Sequence, residues 1–518
     1  MQRWTRVLVA ALVVVVCSSA RAELKLPSII DDGMVLQRKS TVTIWGTADP
    51  GAKVTVEVAG KRGDDKADKD GRFAVRLKNL PTGGPYQMAI STSTGDQRRI
   101  ENVLVGEVWV CSGQSNMQWP MTASLNPEQE IAGANYPQIR LFEVPRRPAD
   151  EPQEDVQAKW AICSPQTIAS FSAVAYFFGR ELHQELGVPI GLISSNYGGT
   201  PAEAWTSRPA LKAEASLKPL LERWENAIAT YDAQQAQAQY EQRLAQWEQA
   251  AEKARAEGQP VPVKPQPPVH PAASQHRPSG LYNAMIAPLT NYAIAGAIWY
   301  QGESNVTRAH QYRTIFPAMI RDWRRAWGDK DLPFYFVQLA PYRYGLVDPK
   351  ACAELWEAQL LTHKSVPNTG MAVINDVGDI RDIHPKNKQV VGRRLALWAL
   401  AKNYGHKDLV YGGPLFKDVD FKGDQAIVKF DHIGSGLASR DGQPLTHFEL
   451  AGEDQQFHPA TAEIVGKTVV VRSQAVTKPV ALRFAWSDTA EPNLMNKEGL
   501  PASPFRSDKW KGVTEGVD

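Results

Sequence analysis

Cysteine is nearly missing from this chain. Four stand in 518 residues. Cys17 closes an apolar N-terminal stretch, which leaves Cys111, Cys163 and Cys352. So low and odd a count excludes a fold built on disulfides. Metal-site patterns are missing too. The 10 histidines are scattered, with no His-Glu-x-x-His and no paired Cys-x-x-Cys, so no metal and no other cofactor is expected. A surplus of either charge is also lacking. Lys and Arg number 58 and Asp and Glu 56, a net charge of +2. No basic run supplies the clustered face that nucleic acid or an anionic membrane surface needs. The longest apolar run, Val7 to Val16, is too short to cross a bilayer core of roughly 30 Å. What remains, 43% apolar and 22% charged residues, is the composition of an ordinary globular protein.

That apolar run has a purpose of its own. Arg3 and Arg6 precede it, and Ala20-Arg21-Ala22 follows as a small-x-small cleavage pattern. This is the layout of a secretory signal over residues 1–22, and it predicts an exported, periplasmic or extracellular chain with no stable membrane insertion after cleavage.

Four regions follow from patterning. Residues 23–104 carry short alternating runs such as Thr41-Val42-Thr43-Ile44-Trp45 and Phe73-Ala74-Val75-Arg76-Leu77, punctuated by Asp49-Pro50-Gly51 and Asp70-Gly71. They predict a β-sandwich. Over residues 105–405 apolar strand runs (Glu107–Cys111, Ile190–Ser195, Ile294–Tyr300, Phe334–Leu339, Gly370–Asn375) alternate with helical patterns. This predicts an α/β domain with a parallel sheet covered on both faces. Within it, residues at about 208–278 hold an Ala/Gln/Glu-rich stretch, one long helix or a helical hairpin, and then a Pro-rich loop. Residues 406–518 return to short strands (Ala426–Phe430, Thr468–Arg472, Val480–Trp486) and predict a C-terminal β-domain or β-extension.

In an open parallel sheet, ligands bind beyond the carboxyl ends of the strands. Four predicted strand ends carry small or polar residues: Ser112-Gly113-Gln114-Ser115-Asn116-Met117, Asn196-Tyr197-Gly198-Gly199-Thr200, Gln301-Gly302-Glu303-Ser304-Asn305, and Asp376 through Asp379, Arg381 and Asp382 to His384-Pro385. A glycine beside Ser115 at a strand-to-helix turn suits an exposed nucleophile, or merely a turn with a helix cap. Gly198-Gly199 is a tight turn, or a place where substrate meets backbone. Gln301 and Asn305 cap a helix, or one donates to an oxyanion; Glu303 braces the loop, or acts as a base. A lone histidine is usually structural, but Asp382 two residues before His384 offers a carboxylate to orient it. Trp119, Tyr197, Trp205 and Tyr300 are sugar-stacking or core residues, with core favoured for Tyr300. Cys111, in an apolar strand, is a core residue.

Taken in order, Gly113-Gln114-Ser115-Asn116-Met117, Gly198-Gly199-Thr200, Trp299-Tyr300-Gln301-Gly302-Glu303-Ser304-Asn305 and Asp382-Ile383-His384-Pro385 resemble the sialate O-acetylesterase branch of the SGNH hydrolases. The resemblance runs from about residue 26 to 506 and includes Ala485-Trp486-Ser487-Asp488 and Pro504-Phe505-Arg506. It implies a three-layer α/β/α core, Ser/His catalysis without metal, and O-acetyl esters of sugars as substrates, whether sialic acid or plant-type oligosaccharides. One departure stands out. The wider superfamily places its Asp three residues before the His, where this chain has Arg381. Asp382, Asp379, or a backbone carbonyl supporting a Ser–His dyad are the alternatives. The superfamily's oxyanion Asn has no fixed counterpart, and Gln301 is preferred to Asn305 because it lies nearer the strand end.

The expected reaction is attack by Ser115 on an acetyl carbonyl with His384 as base, the oxyanion held by the N–H groups of Ser115 and of Gly198 or Gly199, and by the Gln301 side chain. The expected partner is an acetylated carbohydrate; oligomeric state is not encoded legibly. Two rivals stand beside this reading. A glycoside hydrolase would pair Glu303 with Asp379 or Asp382 but leaves Ser115 and His384 idle. A carbohydrate-binding protein would bind through its β-domains alone.

Overall fold

Apolar runs that alternate with amphipathic ones set the centre of the molecule. A computed structural model describes residues 23–345 and 347–517; the predicted export signal over residues 1–22 lies outside them. The central sheet is made by β1 (Gln97–Gly113), β2 (Tyr136–Glu143), β3 (Trp160–Cys163), β4 (Ile190–Asn196), β5 (Gly296–Tyr300), β6 (Phe334–Val337) and β7 (Thr369–Ala372). Their spatial order is β7-β6-β5-β1-β4-β2-β3. β4 and β5 are buried at every residue, as strands sealed on both faces must be, and their sequences therefore read as unbroken apolar runs. The five predicted strands are present. Two more, β2 and β3, extend one edge, and β3 runs antiparallel to β2, so the sheet is mixed rather than wholly parallel. β2 carries Pro137, Gln138 and Arg140, with an alternation too weak to show beside the continuous runs.

Helices cover both faces. On one face β1 places Trp109 edge-on to Phe178, centroids 5.0 Å apart, and stacked with Tyr335 at 5.9 Å. Phe178 belongs to the helix Ala173–Leu186, and the helix Lys388–Lys402 packs beside it, with Trp398 lying 6.5 Å from Tyr335. On the other face Trp299 of β5 meets Trp323 at 5.8 Å and Phe316 at 6.5 Å, both from the helix Ala309–Ala326.

The N-terminal strands form two small sheets. Thr41–Thr47 pairs antiparallel with Arg72–Lys78. Lys53–Val58 lies between Lys61–Lys66 and Gly83–Thr92, and the last pairs antiparallel with the first part of β1. β1 is 17 residues long and runs through position 104 unbroken. Its N-terminal part belongs to the β-rich unit, and from Glu107 it pairs with β4 as the centre of the α/β sheet. The C-terminal strands form a separate antiparallel sheet that includes Leu415–Lys422, Gln425–Asp431, Thr468–Arg472 and Ala481–Phe484. It is tied to the core by the ion pair of Arg506 with Glu357 at 2.9 Å and by hydrogen bonds such as Gln338 Nε2 to Ser503 Oγ at 2.9 Å.

The insert opens with a short helix, Arg208–Ala213, and continues as two longer ones, Lys218–Ala229 and Ala233–Ala256. Asp232 separates them by accepting from the N–H groups of Gln234 and Gln235 at 2.9 Å each, a capping arrangement that starts a new helix. The Pro-rich stretch then folds back, its Pro262 carbonyl accepting from Trp247 Nε1 at 2.7 Å.

Candidate active site

The loops after β1, β4, β5 and β7 converge at one rim. After β1 the chain turns at Gly113, whose φ is +143°. A β-carbon there would lie 2.1 Å from the Tyr300 carbonyl oxygen, so only glycine lets β1 and β5 approach this closely while the chain bends outward. Gln114 N–H closes the turn on Tyr300 O at 3.0 Å. Ser115 follows as the first residue of a one-turn helix, Ser115–Gln118, half-buried with its hydroxyl at the rim. After β7, the loop brings His384 to it: Nε2 lies 2.9 Å from Ser115 Oγ, across 269 residues of chain. The imidazole is 26% exposed and stacks on Trp119, centroids 4.5 Å apart and planes 16° from parallel. The ring is therefore held on one face while Nε2 stays available.

The acids are less tightly engaged. Asp382 Oδ1 accepts from the His384 backbone N–H at 2.9 Å and stands 3.8 Å from Nδ1. That is ion-pair reach but beyond hydrogen-bond length. Asp379 is a correction to its role as rival. Its Oδ1 accepts from Arg381 N at 2.9 Å and from Arg381 Nε at 3.3 Å, and the Arg381 backbone N–H first, then its guanidinium, hold the carboxyl below the usual range. It braces the loop and makes no bond to the imidazole.

Gln301 and Asn305 are a second correction. Both Nε2 hydrogens of Gln301 are spent, on Asn305 Oδ1 at 2.7 Å and Thr200 O at 3.2 Å, while its Oε1 accepts from Tyr312 O–H at 2.9 Å. Asn305 donates to Glu203 Oε2 at 2.9 Å and accepts from Ala202 N–H at 2.9 Å. Gln301, with both donors satisfied inside the protein, has none left for an oxyanion; Asn305 is fully buried, with Nδ2 turned to Glu203, and these two side chains lock the β4 and β5 loops together. Strand-end position does not show which way a side chain turns, and these turn inward.

Gly198 does reach the serine. A β-carbon on it would lie 3.4 Å from Ser115 Cβ, and its N–H donates to Gln118 Oε1 at 2.7 Å. An oxygen thus already occupies the acceptor position of that N–H, beside the serine. Gly199, φ +72°, forms the exposed bend next to it. The end of the insert arrives here, with Gln275 Nε2 donating to Gly198 O at 3.1 Å. Of the four aromatic residues, Trp205 and Tyr300 are core, fully buried. Trp119 and Tyr197 are half-buried at the rim. Cys111 is buried, and burial pushes its thiol far above the ordinary range, which leaves it without thiolate character.

Sequence reasoning missed two residues. Asn116 is fully buried, donates to Glu303 Oε1, and donates to Ile383 O at 3.0 Å, joining the serine turn to the histidine loop. Lys388, also fully buried, donates to Asn116 Oδ1. The available signal was its place in the first turn of a helix four residues after His384, but Lys386, two residues earlier and exposed, looks the same in sequence.

A serine hydroxyl bonded to an imidazole at the carboxyl edge of a helix-covered α/β sheet is the equipment of an esterase. The comparisons agree. Residues 272–400 match the family described as carbohydrate esterase, sialic acid-specific acetylesterase. Over 511 residues the chain is 32% identical to the sialate O-acetylesterase of Rattus norvegicus, covering 89% of each. Over 536 residues it is 30% identical to that of Homo sapiens, covering 94% of this chain and 93% of the other. The structure matches that of a carbohydrate acetylesterase from Xanthomonas citri with a TM-score of 0.79 at 39% identity, over 94% of this chain and 100% of that one. The chain belongs to the sialate O-acetylesterase family and is a carbohydrate O-acetylesterase.

Proposed function

We propose that the chain removes acetyl groups from acetylated sugars through a Ser115 acyl-enzyme, in an SGNH-type active site that works chiefly as a Ser115–His384 pair. The observation that carries this reading is the 2.9 Å contact between Ser115 Oγ and His384 Nε2. Ser115 Oγ forms a bond to the acetyl carbon as its proton passes to Nε2. The Ser115 N–H and the Gly198 N–H hold the oxyanion, which takes the position of Gln118 Oε1. Nε2 returns the proton to the departing sugar oxygen as the ester C–O bond breaks. Water, deprotonated by His384, then releases acetate and restores the serine.

The test is acetate release, without shortening of the sugar chain, over a panel of O-acetylated sialosides and xyloglucan, xylan and mannan oligosaccharides. Release from at least one supports the reading. Chain cleavage without acetate would turn it toward a glycosidase acting through Glu303.

Two substitutions examine the parts. Asp382→Asn is expected to lower kcat/KM by only about tenfold, against roughly 10⁴-fold for an Asp buried against its histidine, because this carboxylate is 44% exposed and 3.8 Å from Nδ1. A loss near the larger figure would show that Asp382 closes on Nδ1 during turnover. Gly198→Ala adds a methyl 3.4 Å from Ser115 Cβ, and its other near neighbour is the flexible Gln118 side chain at 3.2 Å. It is expected to cost tenfold to a hundredfold in kcat/KM, the equivalent of about 1–3 kcal/mol of crowding at the acetyl site, with an unchanged melting curve.

A further inference from the structure

Lys388 begins the helix Lys388–Lys402 directly behind the catalytic pair. It is 0% exposed. Its ammonium lies 5.0 Å from the Tyr300 ring centroid and 5.8 Å from that of Trp119, the ring on which His384 stacks. Its hydrogen-bond acceptor is Asn116 Oδ1, and Asn116 holds Glu303 Oε1 and Ile383 O.

This is an expensive place for a cation. Burial disfavours the charge, and the first turn of a helix presents the positive end of its dipole. The acid of the network, Glu303, is reached only through Asn116, and its Oε2 meets no protein donor among the described residues. For packing alone, an apolar residue of similar volume does as well or better. The charged groups acting on Lys388 are Glu303 and Asp382, and those acting on His384 are Lys388 and Asp382.

We propose, resting on the Ser115–His384 reading, that Lys388 is a positioning residue: its buried charge keeps the His384 imidazole unprotonated in mild acid, and its bond to Asn116 ties the serine turn to the histidine loop. The electrostatics run the same way. His384 is held below its ordinary value by burial first and by Lys388 second, with Asp382 opposing. Burial brings Lys388 itself down to about 7. It is therefore still protonated at the lower pH where His384 would take up a proton, so the opposing charge is present when it matters.

The experiment is the pH profile of kcat/KM with 4-nitrophenyl acetate for wild type, Lys388→Gln, Lys388→Met and Lys388→Arg, each checked for folding by circular dichroism. Ser115→Ala is run first; if it retains activity, the underlying reading fails whatever Lys388 does. Neutral Gln keeps an N–H for Asn116 and removes the charge. Its acid limb is expected to move up by about one pH unit, roughly tenfold less activity on the acid side. Met is expected to show the same shift and a lower plateau, because the tether is also lost. Arg is expected to keep the wild-type limb. Folded Gln and Met variants with unmoved limbs would overturn the proposal. If neither folds, the wild-type His384 and Lys388 titrations followed together by NMR decide it: a Lys388 still protonated at the His384 midpoint, with each titration visible in the other's signal, is expected, and a Lys388 that loses its proton below that midpoint, or uncoupled titrations, overturns the proposal.

Discussion

Ser115→Ala is expected to lower kcat/KM for acetate release by about 10⁴-fold or more, the scale of losing the nucleophile from a Ser–His site, while the fold stays intact. The residue is half-buried at the rim, opens a single helical turn, and among the described residues makes its side-chain bond only to His384 Nε2. Removing one oxygen therefore leaves no cavity in the core and no buried partner unpaired, since the imidazole keeps its stacking on Trp119. Unfolding free energies of the two proteins, from denaturant titration, are expected to agree within about 0.5 kcal/mol. Alanine at 115 thus separates chemistry from folding: activity goes, stability stays. Residual hydrolysis, where measurable, would come from the remaining oxyanion donors and substrate binding.

Gly113→Val is expected to fail in the opposite way, losing fold and activity together. A β-carbon at 113 would sit 2.1 Å from Tyr300 O and 2.9 Å from Tyr300 N. Both are backbone atoms of the adjacent strand, with no rotamer to turn aside. Relief would require parting β1 from β5 where Tyr300 and Gly113 are in register, at the centre of the sheet. The φ of +143° adds backbone strain that a branched residue cannot accept. The expected cost is about 3 kcal/mol or more, read as a lowered denaturant midpoint and poor soluble yield. Whatever protein folds is expected to be nearly inactive, because the turn that moves is the one that aims Ser115. Gly133→Ala is the control: its nearest neighbour would be 3.4 Å away, with an ordinary φ of −81°, and little change is expected.

These contrasts explain which parts of the structure were legible in the sequence. Ser115 and His384 stood out because small and polar residues at the ends of apolar runs have few other reasons to be there. The sheet was legible where strands are sealed on both faces, as β4 and β5 are. It was illegible at β2, where exposed Pro137 and Gln138 precede the buried run. Side-chain direction was the main loss. Gln301 lies at the expected strand end, yet Tyr312 O–H, Thr200 O and Asn305 Oδ1 take all its bonds. Asn305 is only four residues away, but Thr200 and Tyr312 come from other elements, and no local pattern announces them. Lys388 failed to show for the same reason. Whether a lysine in a first helical turn points to water or into a sealed network is decided by Asn116 and Glu303, far away in sequence.

The central claim is that one hydroxyl performs the reaction, activated by one imidazole. The most direct test is to treat the wild type, Ser115→Ala and His384→Ala with a serine-reactive phosphonate and locate the adduct by peptide mass spectrometry. The expected result is a single modification on the peptide containing Ser115 in the wild type, with loss of acetate release in step with labelling, none in Ser115→Ala, and greatly slowed labelling in His384→Ala. Stoichiometric labelling of a different serine that abolishes acetate release, with Ser115 unmodified, would contradict the account.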